Sequence, residues 1–282
     1  MSNADVEIRI AKEAGACYGV ERALRMVQDA LAKGSGPVST LGPLIHNPVV
    51  VADLEHRGVA VVDAPEQAAG STLVLRTHGV TPEVEQEARR VCAHVIDATC
   101  PFVKRAHRAA ETLSEQGYQV IVVGEAGHPE VEGTLGHAKG AVVIANACEL
   151  ANIKVQRKVG VVVQTTMTRT RLREVIDGLL GRCEELRLVN TICEATSSRQ
   201  KAAAELADDA DVMVVIGGRN SANTSRLAEI CQARCPRTHH IEEEGELERA
   251  WFEAARLIGV TAGASTPNDQ IDAVCRRIAE LC

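Results

Sequence analysis

The amino-acid sequence predicts an α/β fold made of three similar parallel-sheet domains. Short β-branched runs alternate along the chain with amphipathic segments rich in Ala, Glu and Arg. This alternation is typical of parallel sheets, and unbroken Val and Ile runs suit strands that are covered on both faces. A third observation is an internal repeat of about ninety residues, a period that indicates three similar domains rather than a solenoid.

The individual elements follow from the same alternation. Eight strands are predicted, in the segments PVSTLG, STLVLRTHG, HVIDATC, YQVIVVGEAGH, VGVVVQTT, LRLVNTIC, ADVMVVIGG and LIGVTAG. Five helices are predicted between them, over 81–91, 102–116, 170–180, 197–207 and 224–233. No Gly/Ser-rich or Pro-rich linker divides the chain, so we expect compact domains joined by short loops.

Composition excludes several classes of protein. A length of 282 residues suits two or three α/β units, and 45% hydrophobic with 24% charged residues is ordinary for a globular chain. A net charge of −7 and only five aromatic residues disfavour nucleic-acid binding. No apolar run approaches the ~18 residues of a membrane span. The start, MSNADVEIRI, shows no secretory signal, so we expect a cytoplasmic protein.

Ten cysteines in such a chain indicate thiol or metal chemistry rather than a disulfide framework. No C-x-x-C is present, which argues against zinc ribbons, thioredoxin-type sites and the common ferredoxin motif. Cys231 and Cys235 form the one close pair, and we interpret them as ordinary packing.

The repeat becomes visible when three cysteines, each followed by a helix, are aligned. A polar loop follows them after 29, 28 and 28 residues, and a second one after 61, 65 and 72 residues. In chain order, the three sets are Cys17, His46 and His78; Cys100, His128 and Thr165; and Cys193, Ser221 and Ser265. We therefore predict domains over 17–98, over 99–191, and over 192–282 together with 1–16.

Because ligands bind beyond the carboxyl ends of parallel strands, these loops indicate one shared centre. Three thiolates suit a metal cluster with one open coordination position, and helix N-termini favour the thiolate form. The loops are rich in neutral donors, which can hold a phosphate or diphosphate without ammonium groups. The alternative for a strand-end Ser or Thr is a helix N-cap. These donors are His46, Asn47, His78, His128, Thr165, Thr166, Ser221, Asn223 and Ser265.

Glu130 allows two interpretations. It follows His128 by two residues in the segment AGHPEVEG, where a carboxylate could act as a general acid. It could equally be a first-turn helix residue that complements the helix dipole. The six remaining histidines are expected at surface or structural positions, and they are His56, His94, His107, His137, His239 and His240.

The same segments carry a family resemblance over residues 8–267. GACYGVERA, LGPLIHNPVVVADLEHRG, RTHGV, DATCPFVKRAH, GEAGHPEVEGTLG, VVVQTT, TICEATSSRQ, GGRNSANTSRL and VTAGASTP resemble the 4-hydroxy-3-methylbut-2-enyl diphosphate reductase family. That family performs the last step of the methylerythritol phosphate route to isoprenoids. The resemblance implies three α/β domains in a pseudo-threefold trefoil around a central iron–sulfur cluster, with the N-terminal strand in the third domain.

The resemblance also implies residue roles. Cys17, Cys100 and Cys193 would bind a [4Fe-4S] cluster whose fourth iron meets the substrate hydroxyl. Catalysis would fall to Glu130 as proton donor, with Thr165 and His128. The residues implied in substrate binding are His46, His78, His128, Thr165, Thr166, Ser221, Asn223 and Ser265. The implied reaction is a two-electron reductive dehydroxylation to isopentenyl and dimethylallyl diphosphate, with ferredoxin or flavodoxin as electron donor.

Three departures from the family pattern stand out. Ala222 replaces a second Ser, Glu194 follows the third cysteine in place of an apolar residue, and NDQIDAV follows TAGASTP. Other classes also stay open: a quinolinate-synthase-type dehydratase with a three-cysteine [4Fe-4S] cluster, a non-catalytic iron–sulfur sensor, and a three-thiolate zinc hydrolase.

Overall fold

The computed structural model describes residues 6–34 and 36–282 as an α/β fold. Its strands form three four-stranded sheets in which every paired strand is parallel to its neighbour. The predicted α/β class and its three parallel sheets are thereby confirmed.

Each sheet is built from four short strands. The first sheet contains β2 Val38–Leu41, β3 Val59–Val62, β4 Thr72–Leu75 and β5 His94–Asp97. The second contains β6 Gln119–Val123, β7 Val142–Ile144, β8 Lys158–Val163 and β9 Glu185–Leu188. The third contains β1 Glu7–Ile10, β10 Val212–Ile216, β11 Thr238–Ile241 and β12 Leu257–Ala262.

The three sheets share one strand order. The orders are β3-β2-β4-β5, β7-β6-β8-β9 and β11-β10-β12-β1. In the first and second sheets, the second strand along the chain lies at one edge and the fourth at the other; in the third sheet, β11 and β1 occupy these two edges. The third sheet is completed by the N-terminal strand, which pairs with β12 so that Glu7 lies opposite Leu257. This common order is the structural form of the repeat in the sequence.

Nine α-helices lie within the described ranges. They are α1 Tyr18–Lys33, α2 Pro48–His56, α3 Pro82–Val91, α4 Pro101–Glu115, α5 Pro129–Gly136, α6 Arg169–Leu179, α7 Glu194–Asp209, α8 Ala222–Gln232 and α9 Asn268–Leu281. Four of them begin with proline, whose fixed φ and missing N–H suit the first helical position. Because of this preference, Pro101 and Pro129 start their helices directly after Cys100 and His128.

Apolar side chains cover both faces of the third sheet. Val212, Val214 and Ile216 of β10 pack with residues of α9 on one face. Met213 and Val215 pack with residues of α7 and α8 on the other. A strand covered on both faces explains why β10 is apolar at every position.

The chain divides into two compact units. The smaller unit contains the described residues up to Val20, with Ile45–Asp53 and Glu194–Cys282, and it holds the third sheet. The larger unit contains Glu21–Leu44 and Leu54–Cys193, and it holds the first and second sheets. The division into three domains, over 17–98, 99–191 and 192–282 with 1–16, stays a prediction.

All eight predicted strands and all five predicted helices are present. The largest difference in a helix start is at α7, which begins at Glu194, three residues before the predicted position. Strand β1 was expected only from the family resemblance, and strands β3, β7 and β11 were not predicted. Each of them is an edge strand of three or four residues.

Candidate active site

Three cysteines occupy equivalent positions, each after an edge strand (β1, β5 or β9) and directly before a helix. We call Cys17, Cys100 and Cys193 the strand-end cysteines. The backbone N–H of each donates to a carbonyl two residues beyond the end of the neighbouring strand. The acceptors are Ala264 for Cys17 at 2.9 Å, Thr77 for Cys100 at 3.0 Å and Thr165 for Cys193 at 3.0 Å. One anchoring contact is therefore repeated in all three sheets.

The environment of the strand-end cysteines fits metal ligation. All three thiols are half-buried, and each directly precedes a helix. Iron–sulfur clusters are held mainly by cysteine thiolates, the donor type that these three residues offer. Within residues 6–34 and 36–282, no three His, Cys, Asp or Glu side chains are grouped as ligands of a single metal ion.

Cys231 and Cys235 have a different environment. Both are buried in the apolar cluster between the third sheet and its helices. The pKa of the Cys231 thiol is raised to about 12, mainly by burial and to a smaller extent by the neighbouring Cys235. A thiol in such surroundings stays protonated and packs as a small apolar group, as expected from the sequence.

Glu130 lies in the first turn of α5 with its carboxylate turned toward Thr165. The residue is 3% exposed. Its Oε1 accepts the backbone N–H of Thr165 at 2.6 Å, and its Oε2 accepts the Thr165 hydroxyl at 2.8 Å. The carbonyl of Thr165 in turn accepts the N–H of Cys193. Thr165 therefore joins the buried carboxyl group to one of the strand-end cysteines.

Burial controls the protonation of this carboxyl group. It raises the pKa of Glu130 from 4.5 to about 7, against the two hydrogen bonds from Thr165, which lower the pKa. A carboxylic acid with a pKa near neutrality can hold a proton at physiological pH and release it to a substrate. Glu130 is thus both a first-turn helix residue and a buried carboxyl group, and its role as a general acid stays a prediction.

His128 and His78 lie at the N-terminus of α5, the helix that carries Glu130. His128 is the N-cap of α5, and its Nδ1 accepts the N–H of Glu130 at 3.1 Å. An accepting Nδ1 leaves the proton of the neutral ring on Nε2. The His78 ring meets the His128 ring edge to face, with 5.8 Å between their centroids. Two half-buried imidazoles are therefore brought together at the start of the helix that carries Glu130, within the larger unit.

A second group of predicted residues lies within the smaller unit. The Ser265 hydroxyl donates to the carbonyl of His46 at 3.0 Å, and the Asn47 amide donates to the carbonyl of Ser265 at 2.9 Å. Gly218 allows the loop that leads to Ser221 to approach as well, because a Cβ there would lie 2.7 Å from the His46 carbonyl oxygen. Loops that follow β2, β10 and β12 thus contact one another.

Asn223 is the least satisfied polar side chain of this group. It is 4% exposed, and neither its Nδ2 nor its Oδ1 has a hydrogen-bond partner among the described residues. Leaving a buried polar group unpaired costs about 1–3 kcal/mol, a cost that a polar ligand removes. Its neighbour Ser221 is an N-cap, since its hydroxyl oxygen accepts the N–H of Thr224 at 3.3 Å.

Two further residues hold these loops in place. The side-chain Oε1 of Gln164 accepts the N–H of Glu125 at 2.9 Å and so fixes the loop that leads to His128. Asn47 caps α2 by accepting the N–H of Val50 at 3.2 Å, in addition to its bond to Ser265. The sequence offered only the place of Gln164 beside Thr165 as an indication of its role.

Comparison with known proteins decides the family. A family model described as LytB protein matches residues 8–279. The 4-hydroxy-3-methylbut-2-enyl diphosphate reductases of Geobacter metallireducens and Geobacter sulfurreducens are each 48% identical over 277 residues, covering 98% of this chain and 98% of theirs. The chain belongs to the LytB family. It is therefore a reductase of the methylerythritol phosphate pathway, and its family membership, predicted from the motifs, is confirmed.

Solved structures of LytB-family proteins agree in fold. A structure of (E)-4-hydroxy-3-methyl-but-2-enyl diphosphate reductase, described as the terminal enzyme of the non-mevalonate pathway, is 41% identical with a TM-score of 0.72. It is covered to 99%, and the match spans 98% of this chain. The E-1-hydroxy-2-methyl-but-2-enyl-4-diphosphate reductase of Plasmodium falciparum, at 24% identity, shows the same fold with a TM-score of 0.90, over 95% of this chain and 86% of that one.

No helix of this LytB-family chain, within the ranges that the structure describes, has both the length and the apolar character needed to cross a membrane.

Proposed function

We propose that this chain reduces (E)-4-hydroxy-3-methylbut-2-enyl diphosphate to isopentenyl diphosphate and dimethylallyl diphosphate. The observation that carries the proposal is the buried carboxyl group of Glu130, held by Thr165 and titrating near neutrality. Removal of an allylic hydroxyl as water requires a proton at the departing oxygen, and a protonated Glu130 can supply it. The overall reaction consumes two electrons and two protons and releases one water.

The strand-end cysteines are proposed to hold a [4Fe-4S] cluster. Their half-buried thiols, helix N-termini and equivalent anchors support this assignment. When bound, such a cluster would pass on two electrons from an external donor, one at a time, and, with three protein ligands for four irons, would offer an open iron for the substrate hydroxyl. Thr165 contributes by tying the acid to the segment that carries Cys193.

The diphosphate is proposed to be held by neutral donors rather than by cations. Asn223 supports this, because both polar atoms of its side chain lack a protein partner. The neighbouring cation, Arg219, is exposed and already paired with Glu242 and Glu246. Hydrogen bonds to a charged ligand contribute about 1.5–3 kcal/mol each, so several neutral donors suffice. The other proposed donors are His46, His78, His128, Thr165, Thr166, Ser221 and Ser265.

His128 has a defined orientation for its part in this site. Its Nδ1 is engaged with the backbone of α5, which directs the Nε2–H away from the helix as a donor.

The second proton of the reaction is added to one of two carbons of the allylic group, and the choice of carbon gives the two isomers. A small electron-transfer protein such as ferredoxin or flavodoxin is proposed as the source of electrons.

The test is anaerobic turnover with dithionite-reduced methyl viologen as the electron source. We expect consumption of reduced viologen and formation of both diphosphate products, and no reaction with the unphosphorylated alcohol. Cys193→Ser should abolish turnover and iron binding, whereas Cys148→Ser, at an exposed thiol, should retain both. Iron-loaded protein that leaves the diphosphate substrate unchanged would overturn the proposal.

A further inference from the structure

The loop that carries His78 is in close contact with α5, the helix that carries Glu130. Gly136 of α5 faces this loop so closely that a Cβ there would lie 2.6 Å from the Cβ of Thr81. A Cβ on Gly133 would lie 3.6 Å from the carbonyl carbon of Gly79. Glycines on both sides thus let a loop of the first sheet and a helix of the second approach at backbone distance.

The imidazole of His107 fills the remaining gap at this junction. His107 lies on α4 and is 6% exposed. A Cβ on Gly79 would lie 2.5 Å from its Cε1, and a Cβ on Gly133 would lie 3.2 Å from its Nε2. The Cε1–Nε2 edge of the ring is therefore inserted between two glycines. One of them follows His78 directly, and the other lies one helical turn beyond Glu130.

The ring is fixed in this position as a neutral group. It stacks on His137 with 4.4 Å between the centroids and 24° between the planes. The pKa of His107 is lowered to about 4. Burial is the main cause, His137 and Lys104 also lower the pKa, and Asp97 raises it. Its Nε2 has no hydrogen-bond partner among the described residues. Its contribution at neutral pH is consequently one of shape.

We propose that His107 is a positioning residue that sets the spacing between the His78 loop and the helix bearing His128 and Glu130. Its insertion holds the two backbones apart on one side, while the glycines hold them close on the other. The 5.8 Å separation of the His78 and His128 rings is the measurable result of this packing. For its kinetic readout, this inference rests on the proposed function.

The test compares His107→Ala with Leu113→Ala, a matched truncation on the same helix. Leu113 is also buried, but its side chain lies against Gly160 of β8 rather than against Gly79 or Gly133. A displacement of about 1 Å can cost about 100-fold in rate. His107→Ala should therefore lower kcat/KM by about 10- to 100-fold, through a lower kcat and a higher KM. Leu113→Ala should stay within about threefold, and His107→Gln, which refills much of the gap, should recover most of the loss.

A second readout does not depend on turnover. Imidazole ¹³Cε1 resonances of anaerobically purified protein should shift for His78 and His128 in His107→Ala and stay unchanged in Leu113→Ala. Unshifted resonances, or equal shifts in both variants, would overturn the positioning role. If His107→Ala does not fold, the same comparison of His107→Val with Leu113→Ala decides, because valine also leaves most of the gap open. Failure of wild-type turnover would refute the proposed function and leave this resonance test in force.

Discussion

Substitution of Glu130 by Gln separates a buried catalytic acid from an ordinary helix-terminal residue. The amide matches the protonated carboxyl group in shape and in hydrogen bonding. Its oxygen can accept the Thr165 N–H, and its NH₂ can donate to the Thr165 hydroxyl oxygen, in place of the two bonds seen at 2.6 and 2.8 Å. The substitution therefore removes the transferable proton and the charge while it keeps the packing.

The size of the stability effect follows from the pKa of Glu130. Burial raises this pKa from 4.5 to about 7, and each unit corresponds to about 1.4 kcal/mol. Between these two pH values the folded protein binds a proton that the unfolded chain has lost, so stability decreases as pH rises through this window. Gln does not titrate. Glu130→Gln should thus match wild type near pH 4.5 and be about 3 kcal/mol more stable near pH 8.

Turnover should change in the opposite direction. Loss of general acid catalysis typically costs about 10²- to 10⁴-fold, and the loss should fall on kcat more than on KM. In wild type, kcat/KM should decrease about tenfold per pH unit above about pH 7, because only the protonated acid is competent.

The assays are urea unfolding at several pH values and anaerobic steady-state turnover with a chemical reductant. If Glu130 is only a helix-terminal residue, the variant should lose well under ~1 kcal/mol and turn over normally. Turnover of Glu130→Gln within threefold of wild type would refute the general-acid assignment.

Three further predictions concern the proposed ligands. Asn223→Ala should weaken substrate binding, measured by calorimetry, about 10- to 150-fold without lowering stability. Asn47→Ala removes a helix cap and should lower the free energy of unfolding, measured in urea, by about 1 kcal/mol. Thr165→Val removes a hydrogen bond that lowers the pKa of Glu130, so the fall in kcat/KM should move to higher pH. Serine substitution of any strand-end cysteine should abolish iron retention, and retention by such a variant would contradict its role as a ligand.

The central strands were predictable because their sequences follow directly from their burial. β6, β8 and β10 are covered on both faces, and a continuous apolar run is the direct consequence. The edge strands β7 and β11 left no comparable pattern, since they are short and half-exposed; β11 even contains two histidines. Their existence depends on pairing with a neighbour, which a local pattern does not encode.

The candidate site shows the same division. Equal spacing from each cysteine to the next polar loop predicted the strand-end positions, because that spacing is set by one helix and one strand in each repeat. The carboxyl group of Glu130 is bound by Thr165, which is 35 residues away, and so no local pattern could distinguish the acid from a helix terminus. His107 was expected at a surface or structural position. Its place at the junction became visible only in the structure, where Gly79 of the His78 loop and Gly133 of α5 lie on either side of its ring.

The assignment of the strand-end cysteines as cluster ligands can be checked by ⁵⁷Fe Mössbauer spectroscopy of anaerobically purified protein, with and without the diphosphate substrate. Three thiolate ligands for four irons predict one cluster per chain in which a single iron differs from the other three, and only that iron should respond to substrate. Protein without iron, or a cluster in which all four irons are equivalent and insensitive to substrate, would contradict the assignment of the strand-end cysteines and the reaction built on them.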